Sequence, residues 1–341
     1  MSAPAVNIQL VSSGGDSRRS PLSDAIERYL KAKRAVECRF LSEERSLRLF
    51  DRFLIEQNIT RVDQITSERV DRFLASRPRR LEPRSFNHLL GCVRRLFQWL
   101  VNQDELDVSP VRMGPRRETS RRLPYLFEPA TLQELISLAA RLPDWSRCPH
   151  RGPTYATIFA LLATLGLRIG EVSRLTCGDI DLARETLLIR NSKFGKSRLV
   201  PFGPRLAARL RAYLLLREQR LGPAAPDTSL FSWRGRAPVH PNSIRSTFRN
   251  HLIPRLGLTI PPGTSRPCVH GLRHSFAVRS LLRWYREGLD PAARLNYLST
   301  FLGHVNPQST AVYLTITSAL LEAANERFEA YADPLCREEQ S

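Results

Sequence analysis

Sixteen residues in the middle of this chain, Ser109 to Pro124, break its helical periodicity and divide it into two parts that need separate cores. The stretch carries three prolines (Pro110, Pro115, Pro124) and five arginines (Arg112, Arg116, Arg117, Arg121, Arg122). Proline fixes φ and withholds an N–H, so neither a helix nor a central strand runs through it. Fully extended, it reaches ~50 Å at ~3.3 Å per residue. We read 112–124 as a basic inter-domain linker. Its arginines suit a phosphate backbone followed from one domain to the next; a solvated tether is the plainer alternative.

Before the break, residues 21–111 form one helical domain, preceded by a Ser/Gly-rich leader over 1–20. Leu22, Ile26, Tyr29 and Leu30 recur at helical spacing, as do Leu47, Phe50, Phe53 and Leu54. Thr66 offers a capped start for a short helix ending near Ala75. Phe86, Leu89, Leu90, Val93, Leu96, Phe97 and Leu100 make the strongest amphipathic run. Arg34, Arg39, Arg84, His88, Arg94 and Arg95 lie between these apolar positions. The expectation is a bundle of about four helices with a basic face.

Charge supports that face. The 341 residues hold 52 Lys+Arg against 33 Asp+Glu, a formal net charge of +19, which favours a polyanionic partner through counterion release. A solubility surface accounts less well for arginines spread along the whole chain, and a membrane patch would need an anchor that is not seen. No apolar stretch reaches the ~20 residues of a membrane span, and the leader is not a signal peptide. A cytoplasmic location is expected. The six cysteines contain no C-x-x-C pair, which speaks against a zinc finger or a disulfide scaffold.

After the break, residues 125–341 read as a second, larger domain, mainly α with one small antiparallel sheet. Helices are expected over Glu128–Arg141, Thr154–Leu167, Arg205–Arg217, Asn242–Leu252, His270–Glu287, Pro291–Leu302 and Gln308–Tyr331. Strands Thr186–Arg190 and Arg198–Phe202 flank a polar turn with Lys193 at its tip.

The polar residues of this half are weak signals one by one. Together, Arg168, Arg273, His270, His304, Lys193 and Tyr313 make an inventory for phosphoryl transfer. Guanidinium forks fit the non-bridging oxygens of a phosphodiester and stabilise the charge of an in-line displacement. Imidazoles shuttle protons near neutral pH. A lysine can protonate a leaving hydroxyl, and a tyrosine can attack once nearby cations lower its pKa of ~10. No acidic cluster suited to two-metal hydrolysis is visible, so neither metal nor cofactor is expected. Gly195-Lys-Ser197 imitates the end of a phosphate-binding loop, but Arg190 stands where that motif needs its first glycine.

Five motifs occur in a telling order: Ala163-Thr-Leu-Gly-Leu-Arg168-Ile-Gly-Glu171, Lys193-Phe-Gly-Lys196-Ser-Arg-Leu-Val-Pro201, His270-Gly-Leu-Arg273-His274, Leu302-Gly-His304, and Tyr313. This series resembles the boxes of the tyrosine recombinases, the phage integrase family, and residues 21–111 resemble that family's core DNA-binding domain. The resemblance implies a site-specific recombinase that cuts and rejoins double-stranded DNA through a 3′-phosphotyrosine, without metal or ATP. It implies that Arg168 and Arg273 clamp the scissile phosphate, that His270 assists proton transfer and hydrogen-bonds the phosphate, that His304 also donates to it, that Lys193 is the general acid and that Tyr313 is the nucleophile. Glu171 would support Arg168. Arg84, Arg94, Arg95, Arg116, Arg117, Arg121, Arg122 and Lys196 are the expected DNA contacts. A homo-tetramer on paired sites, alone or with related recombinases, would exchange the strands, and the helix over Ala319–Tyr331 resembles an element that docks on a neighbouring subunit. The 27 residues from Ser275 to Phe301 exceed those of compact members by ~two helical turns, as in transposon-borne integrases. A non-catalytic DNA-binding accessory protein and a type IB topoisomerase are the rival readings.

Overall fold

The computed structural model describes residues 19–35, 40–76, 82–117, 122–190, 196–235, 237–304, 306, 308–311 and 313. The chain forms two compact units, Met1–Arg121 and Arg122–Ser341.

The described part of the first unit contains four α-helices: α1 (Ser23–Arg34), α2 (Leu41–Glu56), α3 (Ser67–Ala75) and α4 (Pro83–Val101). Each turns an apolar stripe inward, and Phe50 packs on Phe73 and Phe97 at ring-centroid distances of 4.8 and 6.0 Å. Asp51 on α2 ties the start of α1 by accepting from Ser20 Oγ and Ser23 Oγ at 2.5 and 2.9 Å. Thr66 does precede α3, but its hydroxyl makes no capping bond, so the expected side-chain cap is absent. Arg84, His88 and Arg95 are exposed on α4 at positions that share one face.

Residues 111–117 run back along α4 and are fastened to it. Arg116 N–H donates to Asn87 Oδ1 at 2.7 Å, and Asn87 Nδ2 donates to Arg116 O at 2.9 Å. The Arg116 guanidinium lies 3.8 Å from the Phe86 ring centroid, and Arg94 Nη2 donates to Met113 O at 2.6 Å. Val111 and Met113 pack on the core of this unit.

In the second unit, α5 (Pro129–Ala140), α8 (Pro204–Leu221) and α10 (Val269–Arg286) pack around α6 (Arg151–Leu165). α6 is apolar on nearly every face, as a helix enclosed by others must be. Proline at the first position starts α4, α5, α8 and α9 (Pro241–Thr247), where its missing N–H would have had no helical partner. The sheet is antiparallel, in the order β1 (Ile180–Asp181), β2 (Thr186–Ile189), β3 (Arg198–Pro201), with Ile189 opposite Arg198. Leu187, Ile189 and Val200 turn into the core.

Two expected helices differ in detail. The one predicted over Asn242–Leu252 is α-helical to Thr247 and widens to a π-helical turn over Phe248–Leu252. The one predicted from Pro291 begins at Leu295 (α11, Leu295–Leu302), because the Asp290 side chain accepts from Ala292 N–H at 2.8 Å and sets a turn instead. A short α12 (Gln308–Ala311) precedes Tyr313. Residues 1–18 of the leader, the tip residue Lys193, Arg121 and the expected helix over Ala319–Tyr331 lie outside the described residues.

Candidate active site

The site is assembled around the C-terminal end of α11. A helix leaves its last carbonyls without intrahelical donors. Here three consecutive ones are met by three different arginines: Phe301 O by Arg198 Nε at 2.8 Å, Leu302 O by Arg273 Nη2 at 2.7 Å, and Gly303 O by Arg168 Nη2 at 2.7 Å. Cations also suit the negative end of the helix dipole. Gly303, at φ 69°, closes the helix as a Schellman turn: Gly303 N–H donates to Thr300 O at 3.0 Å and His304 N–H to Ser299 O at 2.9 Å. A Cβ on Gly303 would stand 2.7 Å from Arg198 Nη1, so a larger residue would strain the backbone and also press that guanidinium aside.

The Leu-Gly-Leu-Arg segment supplies the opposite wall. Gly166, at φ 59°, ends α6, and its carbonyl accepts from Arg273 Nη1 at 2.7 Å. Arg168 opens α7 (Ile169–Ser173), and Glu171 folds back onto it: Oε2 accepts from Arg168 N–H at 2.9 Å and Oε1 from Arg168 Nη1 at 2.7 Å. Arg198, on β3, reaches the same carboxylate with both Nη atoms, each at 3.1 Å. The Glu171 side chain is 1% exposed. One carboxylate therefore holds two guanidinium groups, and the second of these, Arg198, is a residue the sequence reading did not single out.

Arg273 is 1% exposed, and its pKa is pushed down to about 10, by burial first and the Arg168 cation second. It stays cationic at neutral pH. His304 is pushed down to about 4, by burial and then by Arg273 and Arg168; its Nδ1 lies 2.7 Å from Thr310 Oγ1. His270 is lowered in the same order, by the protein crowded around its recess and then by Arg273 and Arg168. Both rings are neutral near pH 7 and still carry one N–H each.

Tyr313 is 3% exposed, packed with Val278, Leu281, Leu298 and Leu302. Its hydroxyl lies 2.9 Å from His274 Nδ1. His274 meets His270 edge to face at 4.5 Å between ring centroids, and the His304 ring lies parallel to Tyr313 at 6.5 Å. Arg168, Arg273, His270, His304, Glu171 and Tyr313 thus come together as the motifs implied. His274 joins them unforeseen, although its i, i+4 spacing from His270 was a readable signal.

His270 opens onto a groove of about 710 Å³ lined by Asn242, Arg245, Ser246, Arg249 and Cys268. The first four lie on one face, i, i+3, i+4, i+7. Arg84, Arg94, Arg95, Arg116, Arg117, Arg122 and Lys196 are all exposed.

Two guanidinium forks, neutral imidazole donors and a phenol around one recess define equipment for attack on a phosphodiester by a side-chain oxygen. The Phage integrase family profile matches residues 132–319, and the family's N-terminal SAM-like domain matches residues 40–104. A Sinorhizobium fredii protein named for integrase/recombinase activity, y4rB, is 35% identical over 91% of this chain and 98% of its own length. The tyrosine recombinase XerD of Shewanella oneidensis is 26% identical over 90% of this chain and 96% of its own. In fold, the chain is similar to the Tn1549 transposon integrase solved with transposon right end DNA (TM-score 0.63, 16% identity, 91% of this chain and 98% of that one). It is similar also to a lambda integrase dimer bound to a core site (TM-score 0.62, 16% identity, 86% of this chain and 77% of that one). The chain belongs to the phage integrase family of tyrosine recombinases. Its activity is site-specific recombination, the exchange of DNA strands. Among the described residues, no helix is long and apolar enough to cross a membrane.

Proposed function

We propose that the cluster on the α11 cap works on one phosphodiester. Arg168 and Arg273 clamp its non-bridging oxygens, His270 and His304 donate their neutral N–H groups to it, and Tyr313 attacks to leave a 3′-phosphotyrosine. Lys193 protonates the departing 5′ oxygen. Glu171 holds Arg168 in line. The bond energy is kept in the phosphotyrosine, so rejoining needs no ATP. The observation that carries this reading is the convergence of Arg168 and Arg273 on neighbouring carbonyls of one helix end, with the Tyr313 hydroxyl among the adjoining imidazoles.

DNA is held by Asn242 and Arg245 on the exposed face of α9 and Arg249 on the π-helical turn that follows, by Lys196 and by the arginines of α4 and of the stretch that follows it (Arg84, Arg94, Arg95, Arg116, Arg117, Arg121, Arg122). In this reading 21–111 is the core-binding domain, 112–124 the linker, and 125–341 the catalytic domain. The active assembly is a homo-tetramer on paired sites in the cytoplasm; the +19 charge favours the DNA partner, and the fold shared with a transposon integrase favours a role in moving an element.

The test uses nicked duplexes selected for binding to the protein. Wild type accumulates a covalent protein–DNA adduct, and Tyr313→Phe binds equally but forms none. Equal adduct from both would remove Tyr313 from its role. Lys193→Ala slows cleavage while a bridging 5′-sulfur substrate restores it; no restoration would remove Lys193 from the acid role.

A further inference from the structure

The roles above do not name the atom that receives the phenolic proton of Tyr313. A phenol of pKa ~10 is a poor nucleophile at neutral pH until that proton leaves. Tyr313 is buried in an apolar cluster, where an unassisted phenolate would be disfavoured further. Of the rings around it, His304 has its Nδ1 paired with Thr310, and His270 opens onto the groove. His274 is different: its Nδ1 lies 2.9 Å from Tyr313 Oη, within the 2.6–3.2 Å reach expected of about that range for a general base. It projects from α10 one turn after His270 and directly after Arg273, so the helix that carries the phosphate clamp also carries this contact.

We propose that His274 is the general base for Tyr313, a further catalytic residue of the reaction; the inference rests on Tyr313 being the nucleophile. In cleavage, the Tyr313 O–H bond breaks and its proton passes to His274 Nδ1. The freed electron pair on Oη forms the Oη–P bond as the P–O5′ bond breaks, and the 5′ oxygen takes a proton from Lys193. In rejoining, the 5′ hydroxyl returns its proton to Lys193 as its oxygen forms the O5′–P bond, the Oη–P bond breaks and the His274 imidazolium returns its proton to Oη. One ring serves both directions. The buried Arg273 cation next along the helix and the Arg168 cation favour transfer as well, because they stabilise a phenolate more than a phenol.

The experiment compares single-turnover adduct formation on a nicked, binding-selected duplex for wild type, His274→Ala and His274→Asn, with DNA affinity measured in parallel. It is repeated with Tyr313 replaced by a fluorinated tyrosine, whose phenol ionises at neutral pH without help. Asparagine can hydrogen-bond Oη but cannot take its proton, and it guards against a folding defect in the alanine variant. Both variants should bind DNA as wild type does and lose about 10²–10⁴-fold in adduct rate. With the fluorinated nucleophile that loss should shrink to within about tenfold of the parent. A wild-type rate in His274→Asn, or an equal loss with both nucleophiles, overturns the base role and leaves the nucleophile assignment standing. Undiminished adduct in Tyr313→Phe would instead sink the reading underneath.

Discussion

Glu171→Gln isolates what the carboxylate at the centre of the arginine cluster does. Oε1 accepts from Arg168 Nη1 and Arg198 Nη1, and Oε2 from Arg168 N–H and Arg198 Nη2. A glutamine offers one oxygen. Whichever way its amide turns, two of these N–H groups face an NH₂ donor, and the only negative charge among these contacts is gone. Removing one partner of a buried ion pair costs ~3–5 kcal/mol. Arg168 is 25% exposed at its side chain, so water relieves part of this and the lower end, ~3 kcal/mol, applies. In a unit of about 220 residues each kcal/mol moves the melting temperature by about 2–4 °C, giving a fall of ~6–12 °C in the transition of the second unit. Bound DNA should narrow the gap, because a phosphate returns an anion to the same guanidinium groups. Calorimetry of both proteins, free and with a binding-selected duplex, reads the effect. A fall under 2 °C, or a gap that DNA leaves unchanged, would refute the account.

Three further outcomes are expected. Gly303→Ala should cost about 1–2 kcal/mol for the left-handed backbone and also push Arg198 off Glu171, so that thermal stability and adduct rate fall together; a normal adduct rate would separate the cap from the site. His304, at about 4 when folded against 6.5 when unfolded, resists protonation in the native state, so the unfolded state binds more protons between these values. Stability should therefore fall by up to about 3 kcal/mol as pH drops from 6.5 through 4, and His304→Gln should flatten that slope in denaturant titrations at successive pH values; identical slopes would contradict it. DNA affinity should drop ~10³–10⁵-fold between 50 and 200 mM salt if 6–10 phosphates are contacted, as read by fluorescence anisotropy, and a flat response would contradict a basic binding surface.

Much of the fold was readable because its helices carry strong local signals. The Phe86–Leu100 stripe and the helix-starting prolines at 83, 129, 204 and 241 announce α4, α5, α8 and α9. β1 was not readable, since two residues show no alternation and owe their pairing to β2. In the site, the ordered motifs pointed to Arg168, His270, Arg273, His304 and Tyr313, but Arg198 was missed for a physical reason. Its importance comes from a carbonyl 103 residues away and a carboxylate 27 residues away, neither of which leaves a local pattern. His274 was hidden differently: it sat inside a quoted motif, and only the fold reveals that it faces Tyr313.

The arginines gathered on the end of α11 have an electrostatic consequence. Two of the three spend donors on neutral peptide oxygens as well as on Glu171, and Arg273 spends both of its bonds that way. Peptide oxygens orient a cation without cancelling it. Among the described residues of the site, three positive charges and one negative leave a surplus of two, with His270 and His304 lowered below the ordinary imidazole range. A resting phosphodiester carries one negative charge, and the five-coordinate arrangement reached during attack carries two. In the proposed reaction, these arginines and Glu171 together match the fleeting dianion and overcharge the resting strand even before Lys193 brings its own charge, which is the imbalance a catalyst needs.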